Sequence, residues 1–207
     1  MKSKTILITA GPTREYIDPV RFISNASSGK MGYLLAEESK KLGAKVILIS
    51  GPTNLNPPKN VKVINVVSAE QMFAQVKKYF KKCDVFISCA AVGDYKAEKF
   101  SKNKIKKTGN LINVKIIPTP DILFEISKIK GSRILVGFAL ESEALIKNAK
   151  KKLKEKKLDM IVANTVDSMN SDKTTGAIIT KDKIEKFKNI TKKLLAKKLT
   201  KKYYDLF

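Results

Sequence analysis

Gly11, Ser27, Ser28, Gly29, Met31 and Gly32 stand where a backbone can hold an anion, and Arg14, Arg21 and Asn25 stand between them. Thr5-Ile6-Leu7-Ile8-Thr9 reads as a buried strand that ends in Ala10-Gly11-Pro12-Thr13. A polar turn over residues 14–25 follows, and Ser27-Ser28-Gly29-Lys30-Met31-Gly32 opens a helix. A strand, a glycine turn and a second glycine pair at a helix start form the layout of a nucleotide-phosphate site. Backbone N–H groups and the positive end of the helix dipole converge there. The insert between the two glycine clusters carries two arginines, an asparagine and several hydroxyls, which points to chemistry beside the phosphate.

Histidine is absent, so Ser–His and Cys–His catalysis and histidine-ligated metals are excluded. The chemistry must rest on Lys, Arg, Asp, Asn, hydroxyls, backbone amides and a cation brought in with a nucleotide. Cys83 and Cys89 read as packing thiols of a buried strand in a reducing compartment. No carboxylate cluster marks a metal site, and no residue is assigned as a metal ligand. No apolar run approaches the roughly 18 residues of a membrane span. Met1-Lys2-Ser3-Lys4 leads straight into a strand, so a cytoplasmic protein without signal peptide or membrane contact is expected.

A net charge of +23 first suggests nucleic acid. Only three of the 42 basic residues are arginine (Arg14, Arg21, Arg133), and the lysines run from end to end. Base readout favours arginine, and single-strand platforms need exposed aromatics. The charge therefore reads as general surface composition, and no nucleic-acid partner is expected. The alternative is a basic nucleic-acid-binding Rossmann-like module using residues 96–107, whose binding would weaken steeply with salt.

Strand-like runs alternate with helical patterns, which predicts an α/β fold: a Rossmann-like, doubly wound, mostly parallel sheet. Met31, Leu34, Leu35 and Leu42 mark one face of a first helix ending at Gly43. Strands are expected over residues 45–49, 61–64, 84–89, 114–117, 133–138 and 159–164, with an edge strand over 177–180. Met72, Phe73, Val76, Tyr79 and Phe80 stripe a second helix, and Pro120-Asp121 opens a short one. Leu145, Ile146, Ala149 and Leu153 line a lysine-rich helix; Ile190, Leu194, Leu195, Leu199 and Tyr203 line the last. From Gly93 to about Asn113 no period holds, and lysines crowd the stretch. A structureless connection of that length is functional or disordered. The whole chain, 1–207, thus reads as one domain carrying a lysine-rich flap at about 93–113.

Two familiar nucleotide motifs fail. A P-loop needs Gly-Lys-Ser/Thr, and here Gly29-Lys30 precedes Met31. A dinucleotide fingerprint needs a compact glycine turn and an acid after the second strand, where this chain has Ile49-Ser50-Gly51-Pro52. A nicotinamide-dependent reductase is accordingly disfavoured. Three further strand ends should reach the same crevice: Ala90-Ala91-Val92-Gly93-Asp94, Val136-Gly137-Phe138-Ala139 and Ile161-Val162-Ala163-Asn164. Small residues there let a ligand approach the backbone, Asp94 can accept from hydroxyls, and Phe138 offers a ring to a base.

The run Ile8 to Gly32 resembles bacterial phosphopantothenate–cysteine ligase, the ligase domain of a bifunctional coenzyme A biosynthesis flavoprotein family. So do Cys89-Ala90-Ala91-Val92-Gly93-Asp94-Tyr95, Lys104-Ile105-Lys106-Lys107, Val136-Gly137-Phe138-Ala139 and Leu158-Asp159-Met160-Ile161-Val162-Ala163-Asn164. The resemblance implies a CTP-dependent acid–amino-acid ligase. The 4′-phosphopantothenate carboxylate attacks the α-phosphate of CTP, and the amine of L-cysteine then displaces CMP to form the amide. Asn25, Arg21 and Lys104 match the family's catalytic positions, with Arg21, Asn25, Ala90 and Ala91 handling substrate. Gly11, Ser27, Ser28, Gly29, Met31, Cys89, Ala90, Ala91, Asp94, Lys104, Phe138, Lys152 and Lys156 match its nucleotide contacts. Lys104 would ride on the flap, and Arg21 has Asp18 as an alternative ion-pair partner. Mg2+ accompanying the triphosphate, a homodimer, and a fused or separate flavin-dependent decarboxylase are implied by resemblance alone, as is CTP over ATP. Met169-Asn170-Ser171-Asp172-Lys173-Thr174 departs from the family pattern, and no site role is expected of it.

Overall fold

A computed structural model of the chain describes residues 4–169 and 171–206. Met1, Lys2 and Ser3, Asn170 of the divergent loop, and Phe207 lie outside the described residues. The elements run β1 (Thr5–Ala10), β2 (Arg14–Tyr16), β3 (Phe22–Ser24), α1 (Lys30–Lys41), β4 (Lys45–Ser50), β5 (Lys62–Asn65) and α2 (Ala69–Phe80). Then follow β6 (Val85–Ser88), β7 (Tyr95–Ala97), β8 (Ile116–Pro118), α3 (Ile122–Ser127), β9 (Ile134–Glu141) and α4 (Leu145–Glu155). The chain closes with β10 (Met160–Thr165), a 3-10 turn (Val166–Ser168), β11 (Lys173–Thr180), β12 (Ile184–Thr191) and α5 (Lys192–Tyr204).

Eight strands form the main sheet in the order β12-β11-β10-β9-β6-β1-β4-β5. It is parallel from β5 to β10, and β11 and β12 return antiparallel. The expected α/β architecture is therefore present. Strand order reverses beside β1, between β4 and β6, which is where a crevice opens at the carboxyl ends of such strands.

Both sheet faces are covered, so the central strands are apolar throughout. On β1, Ile6 and Ile8 pack toward α1 and α5, while Leu7 packs toward α2, α3 and α4, and all three are fully buried. Burying one such side chain contributes about 1.5–3 kcal/mol. The last helix closes over the first: Leu195, Leu199 and Tyr203 share a core with Leu35 and Ala36. Inside it the Tyr203 hydroxyl bonds the Ser39 hydroxyl at 2.5 Å. Burial pushes the Tyr203 phenol up to about 12, so it stays neutral.

Six expectations need correcting. The polar turn over 14–25 contains a hairpin, β2 pairing β3 antiparallel, with the Arg14 guanidinium 4.7 Å from the Phe22 ring centre. The strand expected at 114–117 is shifted to β8 and leaves the main sheet to pair with β7. The edge expected at 177–180 is the longer β11, and β12 lies outside it. Ile190 belongs to β12 rather than the last helix, which begins after Thr191 accepts the Leu194 N–H at 3.2 Å. Leu42 is the C-cap of α1 and 56% exposed, so it does not extend that helix's core face. The two thiols flank β6 instead of lying within it.

Candidate functional site

Gly29 is the N-cap of α1 in the left-handed conformation (φ 77°), and no side chain caps the helix there. The Ser27 and Ser28 hydroxyls accept the Gly29 and Lys30 N–H groups at 3.3 and 3.5 Å, and the helix start as a whole still points its amides and dipole at an incoming anion. A Cβ at Gly32 would lie 2.5 Å from the Ala10 Cβ, so glycine is what lets α1 sit against the end of β1.

The ends of β1 and β6 are stitched together by main chain. The Thr9 hydroxyl accepts the N–H groups of Cys89 and Ala90 at 3.2 and 3.3 Å. The Ala91 N–H donates to the Gly11 carbonyl at 2.9 Å, and the Gly93 N–H donates to the Thr13 hydroxyl at 2.9 Å. These bonds hold the 89–93 turn open beside α1.

The result is a cleft of about 490 Å³ at the switch point. It brings together Asn25, Ser27, Ser28, Gly29, Met31, Cys89, Ala90, Ala91, Asp94, Phe138, Lys152 and Lys156, all expected from sequence. Gly11, Arg21 and Lys104 do not line it. Gly11 lies behind Gly29, where a Cβ on Gly29 would come within 3.1 Å of it. Arg21 pairs with Asp18 at 2.5 Å, the alternative partner weighed from sequence. Lys104 is exposed on the flap.

Asn25 uses Nδ2 to donate to the carbonyls of Ala91 and Val92 at 3.2 and 3.0 Å. Its side-chain donor is therefore committed to the backbone, and an oxyanion would have to win it by exchange. Lys156 Nζ grips both oxygens of Asp121 at 2.8 and 2.6 Å, so it enters the cleft already half-neutralised. Burial raises Asp121, but the Lys156 ammonium and the Phe124 N–H outweigh it and hold the carboxyl below its ordinary value. Lys152 is the freer cation. Burial, then the neighbouring Lys156, pushes its ammonium down, with Glu141, Asp121 and Asp94 opposing. A desolvated ammonium of this kind gains most from an anionic ligand. Cys89 is pushed up to about 12 by burial and lines the wall as a neutral thiol.

Sequence reading missed several contributors. Lys192, the first residue of α5, lines the cleft, and burial lowers its ammonium with Lys30 adding to the effect. Lys30 lines it too and pairs with Asp172 at 2.5 Å. Met169 and Thr174 of the divergent loop, to which the sequence reading gave no site role, form part of the wall. The Thr174 hydroxyl donates to Asn164 Oδ1 at 3.0 Å, tying the loop to the end of β10. Lys192 carried no signal, because its place depends on the unforeseen β12. Asp121 did carry one, as the residue that opens α3. Among the described residues no group of three or more Cys, Asp or Glu is placed to hold a metal ion.

The sequence family described as DNA/pantothenate metabolism flavoprotein C-terminal domain matches residues 1–206. Coenzyme A biosynthesis bifunctional protein CoaBC of Borreliella burgdorferi is 42% identical over 208 residues, 99% of this chain and 53% of that protein. The protein of the same name from Haemophilus influenzae is 50% identical over 167 residues, 80% of this chain and 42% of its own length. The chain spans about half the length of these relatives. The crystal structure of the C-terminal domain of a CoaBC protein superposes with a TM-score of 0.86 at 40% identity, covering 100% of this chain and 96% of that one.

Proposed function

The chain belongs to the DNA/pantothenate metabolism flavoprotein C-terminal domain family, and on that footing we propose that it is a phosphopantothenate–cysteine ligase. The observation that carries this is the convergence, in one cleft, of the uncapped start of α1 with Asn25, Asp94, Phe138 and Lys152. Phosphates lie against the α1 amides and lysines, while the base lies toward Phe138.

In the first half-reaction a carboxylate oxygen of 4′-phosphopantothenate attacks the α-phosphorus of CTP. The bond to the bridging oxygen breaks, pyrophosphate leaves with its electron pair, and an acyl-cytidylate remains. In the second, the amine of L-cysteine attacks the acyl carbon, CMP leaves, and the amine gives up a proton as the amide forms. Asn25 stabilises the developing oxyanion once one of its backbone bonds exchanges. Such a donor is worth roughly 3 kcal/mol. Lys104, carried in by the flap, neutralises the reacting phosphates. Mg2+ would accompany the triphosphate and neutralise part of its charge, and no residue of this chain is assigned to hold it.

A homodimer is part of the reading. The hairpin and flap lie side by side and expose Val20, Phe22, Tyr95, Phe100, Leu111 and Ile112. Apolar residues gathered in this way suit a protein interface. Among the described residues no helix is long and apolar enough to cross a membrane. The flavin-dependent decarboxylation that follows the ligation comes from a fused or separate partner.

Pyrophosphate release tests the reading, assayed with phosphopantothenate plus CTP or ATP, each with and without cysteine. Release with CTP, followed by cysteine-dependent CMP and amide, is expected. Folded protein that releases nothing with either nucleotide overturns the reading.

A further inference from the structure

Asp18 is fully buried although it sits in the turn of an exposed hairpin, between β2 and β3. Its Oδ1 accepts the N–H groups of Val20 and Arg21 at 2.8 and 2.7 Å, which closes the turn. The other oxygen does something the turn does not need. Oδ2 accepts Nη1 of Arg21 at 2.5 Å and the backbone N–H of Ile105, 87 residues away, at 3.1 Å. Arg21 Nη1 then donates to the Ile105 carbonyl at 3.0 Å. Both backbone groups of one flap residue are thus held by one ion pair. The residue held is the immediate neighbour of Lys104. A separate bond, from the Ser101 N–H to the Ile17 carbonyl at 2.9 Å, docks the flap on the same hairpin.

The arm is otherwise fastened at its base, where β7 pairs with β8. Residues 106–116 beyond the held position are exposed. Position along the arm is therefore set by the hairpin turn, and Arg21 meets the flap backbone rather than the cleft. We propose that Asp18 is a positioning residue: with Arg21 it clasps the backbone of Ile105 and so fixes where the flap presents Lys104. The consequence for catalysis rests on the ligase reading; the clasp itself does not.

Asp18→Asn separates the two jobs of the carboxylate. The amide oxygen still closes the turn, while the amide nitrogen meets two donors, Arg21 Nη1 and the Ile105 N–H, and releases the flap. Ile105→Pro removes the same N–H from the other side, in a segment outside the core. Hydrogen exchange over residues 98–108 is expected to quicken about tenfold in both variants, since a hydrogen bond to a charged group is lost. Their thermal midpoints should stay near wild type. Pyrophosphate release should slow about tenfold in kcat, with little change in KM, and Asp18→Asn should add nothing when combined with Lys104→Ala. Unchanged flap exchange in folded Asp18→Asn, or losses that add to those of Lys104→Ala, overturns the proposal. Should Asp18→Asn fail to fold, Ile105→Pro decides by the same readings. A wild-type enzyme silent toward CTP would sink the ligase reading, while exchange would still decide the clasp.

Discussion

The cleft and the flap, which the proposed reaction brings together, are opposite kinds of structure. The cleft is built from main chain: the α1 amides, the 89–93 turn stitched to Thr9, Gly11 and Thr13, and small residues that admit a ligand. Its tolerances are steric, set where Gly32 touches the end of β1. The flap has few such constraints. It hangs from the β7–β8 pairing and is gripped by Asp18 and Arg21 at the single residue Ile105. In the proposed reaction, binding falls to the rigid sheet, and Lys104 is presented by an arm that few contacts hold.

The contrast is most severely tested from the rigid side. Gly32→Val should cost about 3 kcal/mol of stability by overpacking α1 against β1, and nucleotide binding should fall below detection by calorimetry. Tight binding by that variant would mean the α1 start is not where the phosphates lie. Asn25→Ala should release pyrophosphate normally yet slow amide formation about 100-fold, because a donor to the oxyanion is gone. Quenched-flow measurement of the two half-reactions separates these steps, and normal amide turnover would remove Asn25 from the chemistry. From the flap side, Lys104→Ala should slow pyrophosphate release about tenfold while leaving the affinity of the resting enzyme for CTP unchanged. A large loss of affinity would instead make the flap part of the rigid site.

The smallest effect concerns Lys156 and Asp121. The folded pKa of Asp121 is depressed, so the pair's contribution is full above the ordinary carboxylate range and is lost as pH falls through the lowered folded value. Lys156→Met should therefore lower the thermal midpoint by a degree or two at pH 7, under about 1 kcal/mol, and by less at pH 3. An equal difference at both pH values would show that Lys156 supports α3 by packing rather than charge.

What could be read from the chain follows the same division. The rigid half was legible because its signals are local. Glycines at fixed offsets, apolar runs on β1, β4 and β9, and small residues at strand ends each announce themselves within a few positions. The hairpin was not legible, because Arg14 and Phe22 stabilise it only by meeting across the strands. β12 was hidden for a related reason: with Ile184, Lys186 and Lys188 on an exposed edge, it lacks the apolar run of a buried strand. Missing it shifted Ile190 into a helix and left Lys192 out of the site. Asp18 stood in view as a partner for Arg21, but nothing near it in sequence points to Ile105.

The pairing of the last helix with the first, Tyr203 on Ser39 and Leu199 beside Leu35, bears on how the molecule is made. α1 precedes α5 in the chain, so the helix that opens at the candidate phosphate site is made with one flank bare. That flank is covered only when residues 192–204 have left the ribosome, and Lys192 reaches the cleft in the same event. A nascent chain halted before that point holds most of the expected motif residues and still lacks a finished wall.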